Sequence, residues 1–118
     1  MKVRDIMVPV YTTDFEKTIR DYEDLFGEKF QNKFNVDAIK ISIARINKVL
    51  IIGGRADTLE SLPKIKATLV VDSINEYLDY LNSINATIIQ PPTKVPTGQN
   101  MIAKLIDGTI FEYVELNE

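Results

Sequence analysis

The sequence predicts a mixed α+β domain in which a β-α-β-β-β unit occurs twice. The first observation is an internal repeat, because the segments Val8–Gly27 and Ala67–Ala86 align without a gap at an offset of 59 residues. The second is that each segment passes from strand-like alternation to helical spacing. The third is a hairpin signal, Asp107-Gly108 between two apolar runs, near the end of the second copy.

The first strand and first helix follow from periodicity and capping signals. Ile6, Val8 and Val10 alternate with other residues and predict a strand from Val3 to Val10. Thr13 and Glu16 have the spacing of a capping box, with Thr13 or Asp14 as N-cap, and predict a helix near Thr13–Phe26. Gly27 is a natural stop, since glycine tolerates left-handed dihedral angles.

Three more strands complete the first copy. They are predicted at Phe30–Phe34, Ala38–Ile46 and Val49–Ile52, with Asn47-Lys48 as a tight turn. Gly53-Gly54 lacks the further glycine and lysine of a nucleotide-binding loop, so we interpret the pair as a strand-ending turn. The polar segment Arg55–Lys64 is predicted to connect the two copies.

The second copy follows the same plan. Lys66–Val71 alternates as a strand, and the capping box that begins at Ser73 predicts a helix near Ser73–Asn85. A strand begins at Thr87, and the proline-rich segment Gln90–Asn100 is predicted as a loop, either a lid or a stiff connection. Two final strands, Met101–Leu105 and Thr109–Leu116, meet at Asp107-Gly108. The 118 residues suit a single domain, with modules at about 1–54 and 65–118 and the connector at about 55–64.

Composition excludes several classes of function. A net charge of −3 and the absence of any run of basic residues argue against nucleic acid or an anionic membrane as partner. The chain has neither histidine nor cysteine, which removes the usual general base, the thiolate nucleophile and the commonest ligands for catalytic metals. No signal peptide or apolar span is predicted, so we expect a cytoplasmic protein.

Two segments together resemble one superfamily. Val10–Phe30, read as VYTTDFEKTIRDYEDLFGEKF, resembles the opening signature of the vicinal oxygen chelate superfamily, which includes glyoxalases, bleomycin-resistance proteins and dioxygenases. Gln90-Pro91-Pro92 followed by Ile106–Val114 resembles its closing signature. The resemblance implies a curved mixed-sheet cup of eight strands, built from two βαβββ modules, and commonly a homodimer.

The resemblance also locates four metal-ligand positions. They fall on Met7, Ile51, Lys66 and Glu112 in this sequence. Only Glu112 suits a hard divalent ion, since a thioether prefers soft Cu(I) and Lys66 would repel a cation. We therefore predict a degenerate site with no metal and no cofactor. A structural ion pair between Lys66 and Glu112 would replace the metal, and the alternative is that both are catalytic.

Strand parity extends the candidate site. Ile110 and Val114 share the face of Glu112, so the predicted ligand-binding residues are Met7, Ile51, Lys66, Ile110, Glu112 and Val114. Tyr113 should lie on the opposite face, in the core. The preferred function is metal-free binding or sequestration of a small molecule, as in the bleomycin-resistance branch. The alternatives are a divergent lyase or isomerase that uses Lys66 and Glu112, and a structural or regulatory module whose cup is filled by its own side chains.

Overall fold

The computed structural model describes residues 1–117, and its elements follow the predicted order. The strands are β1 (Val3–Thr12), β2 (Asn32–Val36), β3 (Ile41–Ile46), β4 (Val49–Gly53), β5 (Ala67–Val71), β6 (Thr87–Val95), β7 (Gly98–Lys104) and β8 (Ile110–Leu116). The helices are α1 (Phe15–Phe26), α2 (Ala56–Ser61) and α3 (Ile74–Ser83). The α+β class with two βαβββ modules and a mixed sheet is confirmed. No helix among these residues is long and apolar enough to cross a membrane.

The first compact unit comprises Val8–Leu62. Its strands pair in the order β2-β3-β4-β1, and β1 runs parallel to β4 while the other pairs are antiparallel. Helix α1 lies against β3 and β4 and buries the side chain of Ile19. Ile19 packs with three buried strand residues, Ala44, Ile46 and Ile51, to form the core of this unit.

The second compact unit comprises Met1–Met7 and the residues from Pro63 onward. Its strands pair in the order β1-β5-β8-β7-β6, with β5 parallel to β8. The pairing of β5, β8, β7 and β6 therefore repeats that of β1, β4, β3 and β2. Helix α3 covers a core of six buried residues: Val71, Ile74, Leu81, Met101, Ala103 and Tyr113.

Helix ends follow the predicted capping residues. The Asp14 side chain is the N-cap of α1 and accepts from the Lys17 amide, and Ser73 plays the same part for α3 by accepting from the Glu76 amide. Gly27 ends α1 with a left-handed φ of 70°. The sequence left two candidates, Thr13 and Asp14, for the N-cap of α1, and the structure has Asp14 at that position.

The segment Gln90–Asn100 is not a loop, and this prediction was wrong. Strand β6 continues through Pro91 and Pro92 to Val95, and a two-residue turn joins it to β7 at Gly98. The prolines are tolerated because β6 is the edge strand and pairs only with β7, where two register shifts also occur. The segment is therefore part of a β-hairpin at the sheet edge and not a loop, whether lid or stiff connection.

Two shorter departures occur in the first unit. The connector Arg55–Lys64 contains the helix α2, which polar composition alone did not indicate. The predicted strand Ala38–Ile46 starts instead with a 3₁₀ turn over Asp37–Ile39, and Lys40 follows it in the left-handed conformation with φ 58°. Lys40 is a costly residue at such a position, since its Cβ crowds the backbone there.

Candidate functional site

The candidate site is a row of side chains that crosses the sheet of the second unit. The register pairs Met7 with Thr68, Thr68 with Glu112, Glu112 with Ile102, and Ile102 with Gln90. Directly paired residues point to the same face of a sheet. Tyr113, the neighbour of Glu112, is buried in the core under α3, so the row lies on the face opposite that helix.

Glu112 is held by neutral hydrogen-bond donors. The Thr68 hydroxyl donates to Glu112 Oε1 at 2.7 Å, and Asn100 Nδ2 donates to Glu112 Oε2 at 3.0 Å. Gln90 Nε2 in turn donates to Asn100 Oδ1 at 2.8 Å and fixes its amide. We call these four residues the Glu112 network. Because each carboxylate oxygen accepts a charge-assisted hydrogen bond, the carboxylate has a fixed orientation.

The surroundings of Glu112 explain why it needs these partners. Glu112 itself is half-buried, while Thr68, Met7 and Ile102 are only 1%, 4% and 6% exposed. A carboxylate in such a setting loses part of its hydration, and protein donors must replace it. The space beside Glu112 along this row is therefore filled by the chain's own side chains.

The predicted ion pair between Lys66 and Glu112 does not form within residues 1–117. Lys66 is exposed and immediately precedes β5; its backbone amide donates to the Ile110 carbonyl at 2.8 Å. Thr68, two residues further on, lies directly opposite Glu112 and provides the hydrogen bond instead. The neutral hydroxyl of Thr68 thus takes the place that was predicted for the Lys66 ammonium group. The Lys66 side chain stays hydrated, so its charge carries no desolvation penalty.

The predicted position of Ile51 was wrong by one residue. Val8 pairs with Val49, and its repeat counterpart Ala67 pairs with Phe111. Leu50 is therefore the first-unit counterpart of Glu112. A shift of one residue reverses the face of a strand, and Ile51 accordingly lies in the core beneath α1.

The remaining residues of β8 follow the predicted parity. Val114 is buried and Ile110 half-buried on the face of Glu112, although a ligand-binding role for either stays a prediction. Tyr113 lies in the core as predicted, with its ring centroid 5.7 Å from that of Tyr77. Burial raises the pKa of the Tyr113 phenol above its ordinary value.

A cleft of about 370 Å³ lies within the same unit. Its lining includes Arg4, Val70, Asp72, Gln99, Glu115 and Leu116. Val70 pairs with Val114, so the cleft begins two residues along the strands from the Thr68–Glu112 pair. The Asp72 carboxylate accepts from the Lys2 backbone amide at 2.9 Å, which lowers the pKa of Asp72, and Glu115 accepts from the Ile74 amide at 2.8 Å.

Sequence reasoning missed Thr68, Asn100 and Gln90. Thr68 carried a usable signal, because it shares the strand face of Lys66 and is a polar residue among apolar neighbours. Gln90 and Asn100 carried no such signal, because their segment was predicted to be a loop and strand faces could not be assigned to it. Only the strand register brings their amides to the carboxylate.

The site does not fit the metal that the superfamily resemblance implies. No group of three or more histidine, cysteine, aspartate or glutamate side chains in the described part of the chain could hold a metal ion. Glu112 is already hydrogen-bonded through both oxygens, Met7 is a soft thioether and Lys66 a cation. The chemistry of these side chains argues against a hard divalent ion at this position.

Comparison with known proteins supports the fold. No protein-family model and no curated protein sequence matches the chain. Among solved structures, methylmalonyl-CoA epimerase from Mycobacterium tuberculosis is similar, with 15% identity, a TM-score of 0.79, and coverage of 98% of this chain and 90% of that one. A variant of Streptomyces coelicolor methylmalonyl-CoA epimerase in complex with 2-nitronate-propionyl-CoA is 12% identical, with a TM-score of 0.81 and coverage of 99% and 100%.

A nearer relative is an uncharacterised protein from Methanosarcina mazei. It is 31% identical, its TM-score is 0.87, and the match covers 99% of this chain and 95% of that chain. The two epimerases are too distant in sequence to show more than a shared architecture, which is that of the vicinal oxygen chelate superfamily. The chain belongs to the same family as the Methanosarcina mazei protein and has the vicinal oxygen chelate fold.

Proposed function

We propose that this protein binds a small organic molecule without a metal and without transforming it. The proposal rests on one observation. Glu112 is the single carboxylate at a metal-ligand position, and both of its oxygens accept hydrogen bonds, from Thr68 and Asn100. A metal in such folds would polarise the substrate as a Lewis acid. Here that carboxylate serves instead to hold three strands of the sheet, β5, β7 and β8, in fixed positions.

The cleft beside Arg4 and Glu115 supports a binding role. Its volume of about 370 Å³ falls within the roughly 300–1,000 Å³ of small-molecule sites. Asp72 and Glu115 both accept hydrogen bonds from backbone amides, and Arg4 is the one cationic side chain in the lining. Asp72 also pairs with the N-terminal ammonium group at 3.5 Å, so Glu115 is the lining carboxylate that can receive a cationic group of a ligand. A ligand with a cationic group and an apolar body would complement this lining.

The enzyme alternative has less support. The similarity to epimerases is compatible with a divergent isomerase that uses Lys66 and Glu112. That mechanism needs the two side chains to act together, but the carboxylate is hydrogen-bonded to neutral groups and Lys66 is exposed. The third hypothesis, a filled interior, agrees with the burial next to Glu112 and leaves the cleft unexplained.

A thermal-shift screen with chelator present would test the binding proposal. We expect cationic metabolites or antibiotics to raise the melting temperature, because a ligand that binds only the folded state stabilises it. Leu116→Trp should fill the cleft and weaken a confirmed ligand by about tenfold or more, a loss of about 1.4 kcal/mol or more. Ile106→Trp, the same new side chain at an exposed position of the β7–β8 turn, is the control and should leave affinity unchanged.

Two outcomes would contradict the proposal. One is a ligand whose affinity is the same in the Leu116→Trp and wild-type proteins. The other is conversion of the ligand to a product, lost on Lys66→Ala, which would establish the enzyme alternative.

The homodimer also stays a prediction. The apolar residues Met7, Ile51 and Val114 of the candidate site are buried within the single chain. A dimer interface would therefore have to use other residues.

A further inference from the structure

A second cleft, within the first unit, differs in charge from the first. Its volume is about 650 Å³, and its lining combines two cations with hydroxyl groups, an aromatic ring and bare backbone. The lining residues that matter are Thr13, Phe15, Lys40, Ser42, Gly54 and Arg55. No acidic side chain lines it, in contrast to the cleft beside Glu115.

Lys40, the first cation, is exposed and has an uncommon backbone conformation. Lys40 has φ 58°, a conformation that glycine adopts freely and lysine does not. Its ammonium group makes no hydrogen bond or ion pair within residues 1–117, so no contact in the protein explains why a lysine occupies this position. The backbone conformation itself has a local role, because Lys40 caps the 3₁₀ turn and its amide donates to the Asp37 carbonyl at 3.2 Å. The ammonium group is left available to a ligand.

The second cation is Arg55, which immediately precedes α2. Its guanidinium Nε lies 3.3 Å from Asp57 Oδ1, but the side chain is 84% exposed, so this contact holds it only weakly. The planar guanidinium retains donors that can form paired hydrogen bonds with an oxyanion. Lys40 and Arg55 therefore present two positive groups to one cleft.

The remaining lining leaves room for a ligand and gives it an apolar surface. Gly54 contributes bare backbone to the lining; a Cβ added there would make ordinary contacts, 3.4 Å to Leu59 and 3.5 Å to the Lys40 carbonyl oxygen. The Phe15 ring forms another side, and the Thr13 hydroxyl adds a polar group. The Ser42 hydroxyl also lines the cleft but donates to Asn35 Oδ1 at 2.8 Å.

We propose that this cleft is a binding site for a small phosphate-bearing molecule, with Lys40 and Arg55 as its anion-binding residues. Two cations and the Thr13 hydroxyl match phosphate oxygens, while the aromatic side accommodates an organic group. The site is separate from the Glu112 network and from the cleft of the second unit. It does not depend on the function proposed above.

Calorimetric titration of the full chain with inorganic pyrophosphate, glucose 6-phosphate and succinate would test the site. We expect saturable binding of the phosphate compounds that weakens with added salt. Lys40→Gly should lower the affinity about tenfold or more, because a hydrogen bond to a charged group is lost, and should raise the melting temperature, because glycine removes the strain. Arg55→Ala should lower the affinity similarly.

Asn47→Gly is the matched control. Asn47 also has a left-handed φ, 52°, but lies in the β3–β4 turn outside the cleft, so this variant should bind as the wild type does. The proposal would be overturned if pyrophosphate and glucose 6-phosphate failed to bind, if Lys40→Gly left their affinity unchanged, if Asn47→Gly weakened them equally, or if succinate bound more tightly.

Discussion

Gly98→Ala should lower the free energy of unfolding by about 3 kcal/mol or more, from the left-handed strain and the steric overlap together. Gly98 starts β7 with φ 149°, opposite both Val95 and Leu116. A Cβ there would lie 3.0 Å from the Asn117 backbone nitrogen and nearer still to the Glu115 carbonyl oxygen. Backbone atoms of a paired strand cannot move aside, so the strands themselves would have to separate.

Gly108→Ala separates the effect of backbone strain from that of steric overlap. Gly108 also has a positive φ, 92°, but an added Cβ there would meet nothing within 4 Å. This variant should lose only the conformational part, about 1 kcal/mol. Denaturant unfolding of both variants is the measurement, and equal losses would show that β7 and β8 do not approach as described.

Thr68→Val should destabilise the protein by about 2 kcal/mol, because it leaves one oxygen of the half-buried Glu112 carboxylate without its donor. Valine has nearly the same shape, and Thr68 is 1% exposed, so packing should change little. Thr68→Ser retains the hydroxyl and should cost only the lost methyl group, about 0.8 kcal/mol.

A double-mutant cycle with Glu112→Leu tests the same contact. In that background no carboxylate remains to be left unpaired, so Thr68→Val should cost less than about half as much. The measured quantity is again the free energy of unfolding. If Thr68→Val cost the same in both backgrounds, the hydrogen bond to Glu112 would not be a source of stability.

Local signals in the sequence were sufficient for most of the fold. The capping residues Asp14 and Ser73, the stop at Gly27 and the Asp107-Gly108 turn depend on neighbours within a few residues, and each occurs where predicted. The prolines of β6 led to the wrong prediction of a loop at Gln90–Asn100. Proline is excluded from central strands but allowed in an edge strand, and edge position is a property of the whole sheet.

The site was less predictable because it depends on register between distant strands. Met7 and Glu112, which the family resemblance located, do lie on one face of the sheet, in one row with Thr68. The prediction for Ile51 was wrong, because its match to Glu112 required the β1–β4 register, in which a single step reverses the face. The donors to Glu112 come from residues 44 and 12 positions away, beyond the reach of any local pattern.

Metal titration tests most directly the claim that Glu112 is a hydrogen-bonded structural group. Wild-type protein, stripped with chelator, would be titrated calorimetrically with zinc, nickel, cobalt and manganese, and Glu112→Gln would be titrated in parallel. We expect no stoichiometric binding of any of the four ions to either protein, since Met7 and Lys66 offer no suitable ligands. One equivalent of metal bound by the wild type and lost in Glu112→Gln would contradict the claim.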